Sequence, residues 1–457
     1  MRVKSVRQQY LSFEFPSSPL KVVCEYRSKY VGINRVLLAT PTIVELAHVD
    51  FERWLSSSKK GRASKYSSEE ILRAVLVMSV EGVDYREAVV RIEHSEFLRN
   101  FVGLGFVKPM MDFSFLAKAF AAVSEATWSA MNEALGRYGI AQQAVTAGRL
   151  RTDTTVVETN IHYPTDSSLL WDSFRVLSRL LRRAQEEHPE LDLKHRYHVR
   201  KVKKLAQFIA RNAKSPSKRT QRTVKRIYAT LLERVDRIVR IGTRVQAQLR
   251  PVCRFEAIEM EQFVRLAKRV IDQTRRRVFD GEIIAPNEKV YSIFEEHTEL
   301  LKRGKAGKPV EFGHKVLLCQ TGEKFISHYR VVARSEDDKS LVDEVLTRHE
   351  RLFGKKPGVF AADKGFYEST QQLKRLERDI KTVSICKKGR RTPAEAAREK
   401  TTCFKDGQCF RAGVEGSISV LKRAFKLRRC LYKGFKHFEV AIGCAVFCHN
   451  LVLLAKT

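Results

Sequence analysis

The chain has 457 residues, of which 85 are Lys or Arg and 52 are Asp or Glu, giving a formal net charge of +33 at pH 7. At roughly 150 residues per domain this length allows about three domains with cores of ordinary size, which excludes a small scaffold held by disulfides or metal clips. The 43% hydrophobic and 30% charged shares exclude a disordered chain, and the surplus of cations points to a polyanionic partner.

Nucleic acid fits that partner better than a membrane does. The longest apolar run near the C-terminus, residues 440–448, breaks at His449 and Asn450, well short of the ~18 residues of a membrane span. The N-terminal segment has charge but no apolar stretch of the secretory kind, so a cytoplasmic, nucleoid-associated protein with no membrane partner is expected. Nine cysteines occur without any C-x-x-C spacing, which supports neither a zinc ribbon nor a redox pair. Cys444, Cys448 and His449 lie among Ala, Val, Ile and Phe, a setting that predicts core packing.

Along the chain, residues 1–63 carry little pattern and read as an N-terminal extension and linker. Residues 64–147 read as helical. Ser67 stands three residues before Glu70, a capping-box spacing, and Asp84 repeats the device ahead of a second helix. Phe113 to Leu135 offers at least one more helix, and the group suits a helix-turn-helix-like DNA module. From residue 148 to 457 strand and helix signals alternate. Residues 150–161, rich in Thr and Val, predict a strand. Further strands are expected at 289–294, 310–319 and 325–333, with a turn at 320–323, then a helix over 340–353 and a short buried strand at 359–362. Strands on both sides of one long helical insertion, at about 170–285, imply a single α/β domain interrupted in sequence.

That insertion is strongly basic: residues 179–250 hold 21 Lys or Arg against 6 Asp or Glu. Its regularly spaced apolar residues indicate packed helices rather than a loose tail, and a surface of one sign is stabilised by contacts to phosphates.

The carboxylates carry the chemistry. Asp363 follows the buried strand directly, the way a central strand delivers a side chain to the carboxyl edge of a sheet. Residues 410–425 have helical period, and at 100° per residue Arg411, Glu415 and Lys422 share one face. The same residues fit an ordinary surface ion pair and, alternatively, a metal-binding carboxylate between two phosphate contacts.

Arg411, Glu415 and Lys422 resemble the last three positions of the Tyr-Arg-Glu-Lys signature of insertion-sequence DDE transposases; the Tyr position is Gln408 here, so its contribution is either absent or supplied by a neighbour such as Phe410 or Tyr432. Residues 152–166 and 362–367 resemble the two aspartate motifs of that group, and the likeness is nearest to its ISNCY branch. The resemblance implies an RNase H-like core, with Asp153 on the first strand, Asp363 after the fourth and Glu415 on a following helix, converging as catalytic and metal-binding carboxylates. It implies magnesium, with manganese as a substitute, and a homodimer acting on double-stranded DNA, both terminal inverted repeats and target. Two hard cations on such a triad suit phosphodiester cleavage and strand transfer without a covalent protein intermediate.

Among other candidates, Arg411, Lys422, Trp171, Lys315 and Lys364 are assigned to DNA contact. Asp337 and Asp338 fit a helix cap before Leu341, although the resemblance hints that this turn borders the site. Glu158, five residues from Asp153, falls on the opposite strand face. A nuclease without strand transfer, or a non-catalytic DNA-binding regulator, are the competing functions.

Overall fold

The computed structural model describes residues 2–5, 18–55, 64–105, 107–191, 195–305 and 308–457. It is a mixed α/β structure, mostly helical with one mixed sheet, and it divides into two compact units, Met1–Glu158 with His314–Thr457, and Thr159–Gly313.

The first unit opens with seven helices, α1 (Lys21–Ala39), α2 (Thr42–Leu55), α3 (Ser68–Val80), α4 (Tyr85–His94), α5 (Glu96–Val102), α6 (Phe113–Ala122) and α7 (Glu125–Ala141), then β1 (Arg149–Glu158). Residues 21–55, where the sequence shows little pattern, are therefore helical; the part of the expected linker at 56–63 lies outside the described residues. The capping box forms as its spacing predicts: the Glu70 amide donates to Ser67 Oγ at 3.1 Å, and the Ser67 amide donates to the Glu70 carboxylate at 2.6 Å. Ten of the thirteen residues of α3 are buried, so this helix is a core element.

The second unit is a helical bundle of α8 (Asp166–Glu187), α9 (Val199–Asn212), α10 (Lys218–Leu249) and α11 (Arg254–Val278), followed by β2 (Glu299–Lys305). Leu177, Leu181, Leu231, Val235, Val264 and Ala267 meet in its core. Residues 289–294 do not form the expected strand. Val290 and Ile293 instead join the bundle core as an irregular segment, and the Val290 amide is satisfied by the Gln273 side chain at 3.0 Å rather than by a strand neighbour.

β3 (Lys308–Thr321) leads back into the first unit. There it is followed by β4 (Ile326–Val331), α12 (Val342–Phe353), β5 (Val359–Ala362), α13 (Thr370–Asp379), β6 (Thr382–Ser384), α14 (Pro393–Lys400), α15 (Thr402–Ala412), α16 (Val414–Arg423) and α17 (Phe435–Leu454). The strands of this unit run in the order β4-β3-β1-β5-β6, with β3 and β4 antiparallel and β1, β5 and β6 parallel. Alternation along β3 explains its unbroken apolar stretch: Val316 and Leu318 join the core with α17 and the N-terminal helices, while Leu317 and Cys319 join the core with α12 and α13.

α17 is long and apolar enough to cross a membrane, beyond what the apolar run alone suggests, yet 78% of its apolar window is buried inside the protein. Cys444 and Cys448 are buried, and burial pushes the Cys444 thiol well above its usual pKa. These thiols are packing groups, as their setting predicts.

His349 of α12 is buried, with Nε2 3.2 Å from the Ala147 carbonyl oxygen just ahead of β1, and burial lowers its pKa from 6.5 to about 4. Between those values the unfolded chain binds the proton and the folded chain does not, so stability is complete above pH 6.5 and falls as the pH drops towards 4. The expected loss is about 3 kcal/mol. Urea melts at pH 7 and pH 4.5 should show it, and His349→Gln should flatten that part of the slope.

Candidate active site

β1 delivers side chains to two faces by simple alternation. Arg151 and Asp153 share one face, and Thr152 and Thr154 share the other. The Arg151 guanidinium donates to the Gln320 side chain at 2.8 Å and to the Phe410 carbonyl at 2.7 Å, and it lies 4.7 Å from the Phe410 ring centroid. Burial, together with nearby Arg149, lowers the Arg151 pKa. One arginine thus fixes the end of α15 against β1 two residues below Asp153.

Parallel pairing brings the two aspartates to neighbouring strands: Thr152 of β1 is opposite Ala362 of β5, and each directly precedes its aspartate. Asp153 has a 16% exposed side chain and accepts from the Thr154 amide at 2.7 Å. Asp363 caps the 3-10 turn 364–366, accepting from the Gly365 amide at 2.7 Å. A Cβ on Gly365 would meet Asp363 Oδ1 at 2.8 Å and Asp338 Oδ2 at 3.3 Å, so a third carboxylate borders the same turn.

Asp338 is a correction to the helix-cap reading. Neither Asp337 nor Asp338 caps through its side chain. The Asp338 carboxylate instead accepts from Lys315 Nζ at 2.8 Å and from Thr154 Oγ1 at 3.3 Å, because β3 and β1 present a cation and a hydroxyl to it. Lys315 also donates to the Glu336 carbonyl at 3.0 Å. Glu158 pairs with Arg429 at 3.1 Å.

The expected continuous helix over 410–425 is broken at Gly413 into α15 and α16. A Cβ there would collide with the Arg151 guanidinium. Arg411 lies in the last turn of α15, and Glu415, 71% exposed, lies in the first turn of α16. Arg411 bridges two carboxylates, 3.6 Å from Asp153 Oδ2 and 4.0 Å from Glu415 Oε1. Asp153, Asp363 and Glu415 are not drawn together as tightly as a compact ligand cluster; among the described residues only His188, Cys253 and Glu256 bring three ligand atoms within 4.8 Å of one another. Lys422 is half-buried near the end of α16, and Lys364 is exposed beside Asp363. Trp171 belongs to the other unit, packed against its bundle core.

Gln408 has its own task. Its side-chain amide donates to the Ser384 carbonyl at 2.7 Å, to Ser384 Oγ at 3.0 Å and to the Ala362 carbonyl at 3.4 Å, tying α15 to the ends of β6 and β5. Phe410 lies under Arg149 and Arg151, whereas Tyr432 packs with Tyr85 and Phe120. Gln408→Ala should shift Arg411 relative to Asp153, and a displacement near 1 Å at a reacting centre costs about 10–100-fold. Initial cleavage rates, measured beside a melting curve, check it.

Sequence reasoning missed Arg151, Gly413 and Ser384. The i, i+2 relation to Asp153 was the available signal for Arg151; nothing local marked the other two.

The donors are carboxylate oxygens, the chemistry a hard divalent cation prefers, so in donor type the residues suit the metal that such a site implies. No curated protein and no solved structure matches the chain. Residues 269–451 match the family model described as the transposase DDE domain, a segment that contains Asp338, Asp363, Arg411 and Glu415 and begins after β1. Over those residues the chain is similar to a transposase DDE domain.

Proposed function

We propose that this protein is an insertion-sequence transposase that binds the terminal inverted repeats of its element, cleaves the DNA ends with a divalent metal and joins them to target DNA. The observation that carries the proposal is the parallel pairing of Thr152 with Ala362, the residues directly before Asp153 and Asp363, together with Arg411 lying between Asp153 and Glu415. Asp363 follows the fourth of the five strands in its unit and Glu415 sits on a later helix, an arrangement that supports the RNase H-like reading.

In this proposal Asp153, Asp363 and Glu415 hold the metal, magnesium in the cell with manganese able to replace it. When bound, it activates the attacking oxygen and offsets charge on the leaving oxygen. The protein's own groups do the rest. Asp338, held by Lys315 and Thr154, keeps a further negative charge at the edge of the site. Arg411, placed by the Gln408 and Arg151 anchors, leaves the carboxylates for a phosphate once their charge is otherwise balanced, and Lys422 and Lys364 add phosphate contacts. The bundle supplies a second basic surface. Arg200, Lys201, Lys203 and Lys204 on α9 are exposed or nearly so, with no salt bridge among the described residues, so phosphate binding there releases counterions. Trp171 is assigned to stacking on a base. Two ends joined in one event require a homodimer on DNA.

The test is incubation of the purified protein with an end-labelled terminal repeat and magnesium, wild type beside Glu415→Gln, scored for 3′-end nicking and for joined product. Metal-dependent nicking and joining by the wild type only is the expected result. Nicking without joining would make the protein a nuclease, and DNA binding with no nicking would make it a regulator.

A further inference from the structure

The second unit contains a cluster that the cleavage chemistry does not use. His188 ends α8, Cys253 is the residue that opens α11, and Glu256 lies in the first turn of α11. One ligand atom from each lies within 4.8 Å of the other two, and all three residues are partly buried. We propose that these residues bind a zinc ion that pins the end of α8 to the start of α11.

Each ligand is prepared for that role. Cys253 stands at the N-cap position without a side-chain cap bond, so its sulfur is not engaged in closing the helix. The His188 ring places Nε2 3.2 Å from Glu256 Oε2 and Nδ1 3.4 Å from Glu190 Oε1. A ring nitrogen facing the ligand cluster while the other faces a carboxylate is the arrangement that orients metal-bound histidines. Arg183 Nε lies 3.6 Å from Glu256 Oε1, which leaves Oε2 directed to the cluster.

Ligand chemistry selects the ion. Thiolate and imidazole disfavour magnesium and calcium and suit zinc. Tetrahedral zinc, with bonds of about 2.0–2.3 Å, keeps its donors about 3.3–3.8 Å apart, so the cluster needs to close by only about 1 Å, a side-chain adjustment. Water, or a neighbouring carboxylate, completes four-coordination. Such a site differs from the carboxylate site of the first unit in donor type, so the two are separable by spectroscopy.

The experiment titrates the reduced, metal-free full chain with cobalt(II) and then zinc(II). The expected result is one tight equivalent, a thiolate-to-cobalt charge-transfer band in the near ultraviolet that zinc abolishes, and a zinc-dependent rise in melting temperature. Cys253→Ser should remove the band and weaken zinc binding at least about 100-fold, while Cys24→Ser, at an exposed cysteine of α1, leaves both intact. Absence of the band in the wild type, or its persistence in Cys253→Ser, overturns the proposal. Should Cys253→Ser fail to fold, His188→Gln decides: unchanged zinc affinity overturns the site, and a loss of about tenfold or more supports it.

Discussion

Asp153→Asn is expected to reduce metal-dependent DNA cleavage by about 1,000-fold or more while leaving the fold intact. The substitution conserves volume, and the new side-chain oxygen still accepts the Thr154 amide bond now made at 2.7 Å. What disappears is one negative charge beside Asp363 and opposite Arg411. Binding of the terminal repeat should be unchanged or tighter, since a repulsion with phosphate is removed. Asp363→Asn should behave alike, because the two aspartates directly follow the paired residues Thr152 and Ala362. Single-turnover nicking beside a DNA-binding titration separates the effects, and a variant that keeps a tenth of the wild-type rate removes Asp153 from the site.

The largest expected loss of stability comes from Asn450→Leu. Asn450 is fully buried in α17, where its side-chain oxygen accepts from the Ile326 amide at 2.9 Å and its nitrogen donates to the Ile326 carbonyl at 2.8 Å and to Asn132 at 2.7 Å. The amide side chain takes the place of a strand neighbour at the start of β4, satisfying an edge that would otherwise be stranded. A leucine leaves the Ile326 amide without its partner in a dry interior, at a cost of about 3–5 kcal/mol. Equilibrium urea unfolding measures it. A loss under about 1 kcal/mol would show that the edge is satisfied in another way.

The same residue shows where sequence reading stopped. A polar pair at 449–450 ends the apolar run and reads as a boundary, yet both residues are buried in the middle of a core helix. The partners of Asn450 are distant in sequence, and only the folded chain brings Ile326 and Asn132 to it. The strand expected at 289–294 failed for a related reason: its apolar residues Val290 and Ile293 had a bundle to fill, and packing overrode a local preference. Residues 21–55 carried too weak a pattern to predict α1 and α2.

Part of the site was legible because local rules suffice for it. A buried strand ending in Asp363 is visible in five residues, and the spacing of Arg411, Glu415 and Lys422 is visible in twelve. The break at Gly413 was not, because it depends on where the Arg151 side chain passes, 262 positions earlier in the chain. The role of Asp338 was hidden likewise, since a polar turn looks the same with or without Lys315 and Thr154 facing it.

The sequence by itself determined the residue chemistry: a strongly cationic chain, one carboxylate within a strand and another directly after a buried strand, and capping residues that start helices at stated positions. These follow from side-chain charge and from interactions between residues a few positions apart. The tertiary structure alone decided which acids become neighbours, because the parallel register of β1 and β5 joins positions 210 residues apart, and such pairings are set by the burial of both sheet faces at once rather than by any local preference.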